Sequence, residues 1–148
     1  MRSRSSISGC PLYLVVLACT AEVRGADPPS KLKIGVLKRP EFCPTKSKPG
    51  DLLAVYSKGK LHATNAIIDV REPDGAPFFF RLGKGEVIKG WDLGLLGMCV
   101  GEVRRIVVPS DMAYGHRGVA PFVPADADLV YEIEVASIWP DGSIKVPI

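Results

Sequence analysis

The sequence predicts an α+β domain in which one short helix covers an antiparallel sheet of five or six strands. Three observations carry that prediction. The 148 residues allow one modest globular domain, and 15 Gly with 13 Pro in no repeat period argue for many turns between short elements. Several short stretches alternate apolar and polar residues with the period of a half-buried strand. A single segment, Trp91, Leu95 and Met98, carries apolar residues at i, i+4 and i+7, the spacing of one helical face.

Taken in order, Leu32, Ile34 and Val36 alternate with Lys31, Lys33 and Gly35 and predict a first half-buried strand. Lys46 to Asp51 (KSKPGD) is a turn, and Leu52 to Tyr56 (LLAVY) a second strand. The pattern then weakens through Lys58 to Arg71, and Glu72 to Ala76 (EPDGA) is a clear turn. Phe78 to Gly83 forms a third strand, Gly90 to Met98 the helix, and Val103 to Pro109 another strand. The helix contains glycines, so it must persist by packing rather than by propensity. Ser110 to Asp128 reads as a long loop, followed by a final strand through Leu129, Tyr131, Ile133 and Val135 with Glu132 and Glu134 outward.

The N-terminus has a different character. Arg2 and Arg4 precede an apolar run from Cys10 to Ala21 and small residues at Gly25 and Ala26, the arrangement of a secretory signal peptide over residues 1–25. Cleavage fits Gly25, with Ala21 as the alternative. The run is short for a bilayer span, so no membrane span is expected after cleavage. Residues 26–30 then form a linker, 31–140 the domain and 141–148 a tail. Cleavage after Gly25 removes Arg2, Arg4, Arg24 and Glu22, which lowers the net charge from +3 to about +1. Neither value suits a nucleic-acid partner. Of four cysteines, Cys43 and Cys99 remain, and an even count in an oxidising compartment favours one disulfide over two separate thiols.

No nucleophilic or metal motif is present. His62 and His116 both fall in loops, and two histidines with two cysteines cannot supply a zinc ligand set at suitable spacing. Gly83-Lys84-Gly85 with Gly90 has the wrong spacing for a phosphate loop and reads as a turn. Ser110 lies in no GxSxG context. No metal and no cofactor is expected.

The segment GKGEVIKGWDLGLLGMCVGEVRRIVVPSDMAYGHRG, residues 83–118, does carry information. Its Val-Ile-x-Gly-Trp, Gly-Leu-x-Gly-Met and Pro-x-x-x-Ala-Tyr-Gly steps resemble the ordered signature of the FKBP-type peptidyl-prolyl cis-trans isomerases. The resemblance extends from about Lys31 to Ile138. It implies a sheet wrapped around one short helix, and Cys43 and Cys99 match the cysteine pair of the small members of the endoplasmic reticulum. It also implies proline-containing polypeptides as substrates, macrolide immunosuppressants as inhibitors, a monomer, and a place in the endoplasmic reticulum lumen or outside the cell. No KDEL-like retrieval signal stands at Lys145 to Ile148 to decide between the last two.

Carried over by position, the resemblance makes Trp91 the floor of a proline pocket, with Val87 and Ile88 as walls before the helix. Phe78 and Tyr131 line the sides, Tyr56 and Tyr114 add aromatic edges with hydroxyls, Phe122 and Val123 come from the long loop, and Asp69 matches a carboxylate at the rim. Plain core packing is the alternative for each aromatic on composition alone. The match breaks at one place. The family's Tyr-x-Gly-x-Leu is here Tyr56-Ser57-Lys58-Gly59-Lys60-Leu61, one residue longer, and Leu61 to Asp69 is also one residue long. Ile68 stands where an aromatic wall is usual. A prolyl-peptide binder or chaperone with little turnover is therefore the rival to the isomerase.

Overall fold

The computed structural model describes residues 31–142, so the signal-peptide and linker readings, and most of the proposed tail, lie outside the described residues. Six strands form one antiparallel sheet: β1 (Lys33–Lys38), β2 (Leu52–Leu61), β3 (Ile67–Arg71), β4 (Phe78–Arg81), β5 (Val103–Val108) and β6 (Leu129–Trp139). Their order is β1-β5-β6-β2-β3, with β4 paired to the first half of β2. Among the described residues one α-helix, α1 (Lys89–Gly94), lies against the sheet. The α+β class and the strand count agree with the sequence.

The core is the inner face of this sheet closed by α1 and the turn after it. Leu53, Val55, Phe80, Ile106, Val108, Leu129, Ile133 and Val135 point inward from alternate strand positions and meet Trp91, Leu95 and Met98. The apolar stripe is thus correct, but the helix is shorter than expected. It stops at Gly94, Leu95 is its C-cap, and Gly97 takes a positive φ of 71° that no right-handed helix continues. α1 can sit this low because Gly90 faces Val108, whose methyl groups would collide with any Cβ there.

A helix of six residues has few internal hydrogen bonds, and its exposed carbonyls need partners. Arg104 of β5 supplies them: Nη1 donates to Gly94 O (3.0 Å) and Leu96 O (2.7 Å), and Nη2 to Gly97 O (3.1 Å). Its Nε pairs with Glu102, which is fully buried and also meets Arg39 Nε at 3.5 Å. On the other side Ser47 Oγ accepts from Met98 N–H at 2.8 Å and donates to Leu95 O. The Cys43–Cys99 disulfide joins the same two segments, across a sequence separation of 56.

Two strand expectations need correction. β1 alternates as read, with Ile34 opposite the buried Ile106, yet all six of its residues are exposed, because it is the outermost strand and nothing described packs over it. β2 runs five residues past Tyr56, pairing with β6 as far as Leu61, where the sequence pattern had weakened. Its mixed composition there hides the strand because its inward positions are small: Ser57 and Gly59, both buried.

Candidate functional site

A cavity of about 340 Å³ opens between β3, β4 and β6 of the sheet, α1 with the turn before it, and the loop that follows β5. Ten of the eleven residues that the sequence assigned to a pocket line it. Its floor is Trp91, 5% exposed, whose ring stands edge-on to Tyr131 (centroids 5.1 Å, 89°) and to Phe78 (6.2 Å, 83°). Phe80 backs the same indole at 5.6 Å from within the core. These four rings set each other's positions through edge and tilted contacts that aromatic quadrupoles favour. The indole nitrogen is buried without a hydrogen-bond partner among the described residues.

Val87 and Ile88 enter the wall from the turn before α1, and Ile88 O takes the first helical hydrogen bond, from Trp91 N–H. That turn is held by Asp92, whose carboxylate accepts from the backbone N–H groups of Gly83 (2.9 Å) and Gly85 (3.1 Å). The glycine loop therefore already holds an anion of its own chain, which supports its reading as a turn. From the long loop come Tyr114, Phe122 and Val123; Val123 is buried, while Tyr114 and Phe122 stay 39% and 66% exposed. The loop is closed on itself by Val119 and Val123, which exchange backbone hydrogen bonds at 2.8 and 2.7 Å.

Ile68 and Asp69 both line the cavity although they are adjacent in β3, where a regular strand would aim them to opposite faces. The cause is a bulge: Gly59 pairs with Asp69 but Lys60 with Ile67, which leaves Ile68 as the extra residue. This bulge and the His62–Ala66 turn absorb the additional residue between Leu61 and Asp69. Tyr131 is buried in the wall, and burial first, then the Tyr114 hydroxyl and the Asp69 carboxylate, hold its phenol well above the ordinary 10.0. Tyr131 is thus a neutral O–H donor across the physiological range.

Tyr56 is the exception among the assigned residues. It lies on the outer face of β2, opposite Glu134, and lines a separate shallow groove with Lys58 and Glu132. The period of two places Leu53, Val55, Ser57, Gly59 and Leu61 inward, so Ser57 occupies the position expected of Tyr56. Ser57 Oγ donates to Asp69 Oδ2 at 3.4 Å. The spacing Ser57-x-Gly59-x-Leu61 contains no inserted residue; the aromatic is simply absent. Gly59 follows from the same geometry, since Tyr131 lies across it and any Cβ would enter the ring.

Sequence reasoning also missed Arg71, Glu86 and Val119, which complete the lining. The Arg71 guanidinium sits 5.4 Å from the Phe78 ring centroid, a cation–π contact between two strands that nothing in the local sequence signals. Among the described residues no cluster of histidine, cysteine, aspartate and glutamate could hold a metal, and no helix is long and apolar enough to cross a membrane.

Comparison with known proteins agrees with this geometry. The profile of the FKBP-type peptidyl-prolyl cis-trans isomerases matches residues 43–136. The chain is 48% identical over 124 residues to "Peptidyl-prolyl cis-trans isomerase FKBP2" of Homo sapiens, covering 84% of this chain and 87% of that protein. It is 45% identical over 129 residues to "Peptidyl-prolyl cis-trans isomerase FPR2" of Saccharomyces cerevisiae, covering 86% and 94%. Among solved structures, the crystal structure of AtFKBP13 superposes with a TM-score of 0.65 at 30% identity, over 74% of this chain and 94% of that one.

Proposed function

The chain belongs to the FKBP-type peptidyl-prolyl cis-trans isomerases, and from that premise we propose that its 340 Å³ cavity binds the proline of an X–Pro bond and lowers the barrier to rotation there. Rotation is slow because amide resonance must be broken, a barrier of about 20 kcal/mol. The twisted amide loses the charge separation of the planar one and depends less on water. An apolar, dehydrated wall therefore binds the twisted form better than the planar form, and that difference is the catalysis. Neither nucleophile nor proton transfer is required.

In this reading Trp91 carries the prolyl ring, while Phe78, Val87, Ile88, Ile68 and Val123 exclude water from it. Tyr114 and Tyr131 offer hydroxyls to the peptide's carbonyls, Phe122 covers the entrance, and Asp69 stands at the rim. The observation that carries the reading is a concave apolar wall floored by Trp91 beside a phenol that burial keeps protonated. A protease-coupled isomerisation assay on a proline tetrapeptide, run beside Trp91→Ala, tests it. The unaltered protein should exceed the uncatalysed rate and Trp91→Ala should fall close to it. Equal rates for both, at the uncatalysed level, would leave a prolyl-peptide binder instead.

The substrates we propose are secretory-pathway polypeptides, met in the endoplasmic reticulum lumen or outside the cell, with residues 31–140 acting as a monomeric domain once residues 1–25 are removed. The signal-like N-terminus and the Cys43–Cys99 bridge, a bond of oxidising compartments, support that placement. Macrolide immunosuppressants should occupy the same cavity. Ser57 and Ile68 remove aromatic surface from it, so their affinity should be lower than for a member with both rings; calorimetry showing no macrolide binding at all would count against the reading.

A further inference from the structure

The sheet ends at β1, which pairs with β5 on one side and, among the described residues, with nothing on the other. A free strand edge offers a row of unpaired backbone donors and acceptors, which folded proteins usually shorten, cover or charge. Here it is six residues long and, among the described residues, uncovered. Ile34, Val36 and Leu37 remain 47%, 44% and 56% exposed, and Phe42, just beyond the strand, 80%.

The charges within residues 31–39 have one sign, and Glu41 beyond them is the nearest acid along the chain. Lys31, Lys33, Lys38 and Arg39 flank or belong to it, and Arg105 lies beside it opposite Gly35. Of these only Arg39 takes part in an ion pair, with the buried Glu102. That arrangement disfavours a second copy of the same strand, because antiparallel self-pairing brings Lys33 of one copy toward Lys38 of the other. It equally favours an anionic strand. A polypeptide can use the backbone edge, the apolar side chains and the lysines together, whereas a lipid surface can use only the last two.

We propose that the free edge of β1 is a second polypeptide-binding site, which takes an extended acidic segment with apolar residues at alternate positions as an added strand. The site lies at the opposite end of the strand order from β3, whose Ile68 and Asp69 line the prolyl cavity, so a client can be held at one edge while its prolines visit the other. The inference does not depend on the isomerase reading, since it concerns binding alone.

The test titrates an acetylated Glu-Val-Glu-Ile-Glu-Val-Glu peptide, and the same peptide with lysine for glutamate, into the isotope-labelled protein purified after secretory expression. The expected result is binding of the acidic peptide only, with new protection of amides within Lys33–Lys38. Lys33→Glu with Lys38→Glu should weaken that binding at least about tenfold and leave tetrapeptide isomerisation unchanged. N-methylation along one edge of the peptide should abolish binding, and along the other should not. Five results would overturn the proposal: equal binding of the lysine peptide, no change in the double variant, no change on N-methylation of either edge, protection in the free protein of the β1 amides that face away from β5, or attachment to phosphatidylserine vesicles without peptide binding.

Discussion

Adding one methyl group at Gly59 tests the site geometry most directly. An ideal Cβ there would penetrate the Tyr131 ring at Cε1 and lie 2.9 Å from its Cδ1 and Cζ. Carbon atoms rest at about 3.5–4.0 Å, so the ring must lift by more than about 1 Å off β2, toward Trp91 and the cavity they share. Tyr131 is 4% exposed and already touches Trp91 edge-on, which leaves little room for the move. Overpacking of this kind costs about 1–3 kcal/mol. With an m-value of about 1–3 kcal/mol/M, Gly59→Ala should lower the urea midpoint by roughly 1 M. The displaced phenol sits in the cavity wall, and an ångström of misplacement there should reduce kcat/KM by about ten- to a hundredfold. Tyr131→Ala provides the control: in that background Gly59→Ala should cost almost nothing, a coupling that only direct contact produces. A folded Gly59→Ala protein with unchanged midpoint and unchanged kcat/KM would refute the packing argument and with it the inward register of β2.

Four further outcomes follow from the same structure. Tyr56→Ala should leave kcat/KM on a proline tetrapeptide within about twofold, because the side chain lies on the outer face; a loss comparable to that of Trp91→Ala would return Tyr56 to the site. Reducing the Cys43–Cys99 bridge, which spans 56 residues, should lower stability by about 4 kcal/mol in the chain-entropy model, measured by urea unfolding with and without reductant. Arg104→Met leaves the buried Glu102 carboxylate with only the solvent-exposed Arg39 as counter-charge and unties three carbonyls, so a loss of about 3–5 kcal/mol is expected; Glu102→Gln added to it should recover part of that loss. Tyr131 has a folded pKa raised above the unfolded phenol's 10.0, so its contribution is complete below pH 10.0 and is lost as pH rises through that value toward the folded one. Absorbance titration of the phenolates should show Tyr131 ionising well after Tyr56 and Tyr114; all three titrating together would contradict its burial.

How much was legible depends on what each signal encodes. Alternation and helical spacing report which face is apolar, and they place five of the six strands, all but β3, together with the Trp91-Leu95-Met98 stripe and the fold class. They say little where inward positions are small. Ser57 and Gly59 break the apolar pattern of β2, so its second half looks irregular in sequence and Tyr56 falls one residue out of register with the inward face. Because strand faces alternate, that single step moved a ring from the cavity to the opposite side of the sheet. Ile68 and Asp69 reached the cavity through a bulge that depends on pairing with β2, a long-range fact with no local trace. The exposure of β1 has the same origin, since alternation shows which residues point inward but not whether anything stands there to cover them.

Arg104 also bears on motion. By fastening Gly94, Leu96 and Gly97 to β5, it makes the segment beneath Trp91 share the fate of the central sheet, so its amides should exchange only when the whole domain opens. The loop from Ser110 to Asp128 leans on the core through Met112, Ala113, Val123 and Ala127, while Tyr114, Val119 and Phe122 on its rim stay exposed. An immobile floor beneath a yielding rim fits a reaction whose substrate and product are the same molecule bent two ways. The prolyl ring can stay seated while the chain on one side of it swings through half a turn, and release becomes a local event on the loop's timescale, leaving the core undisturbed.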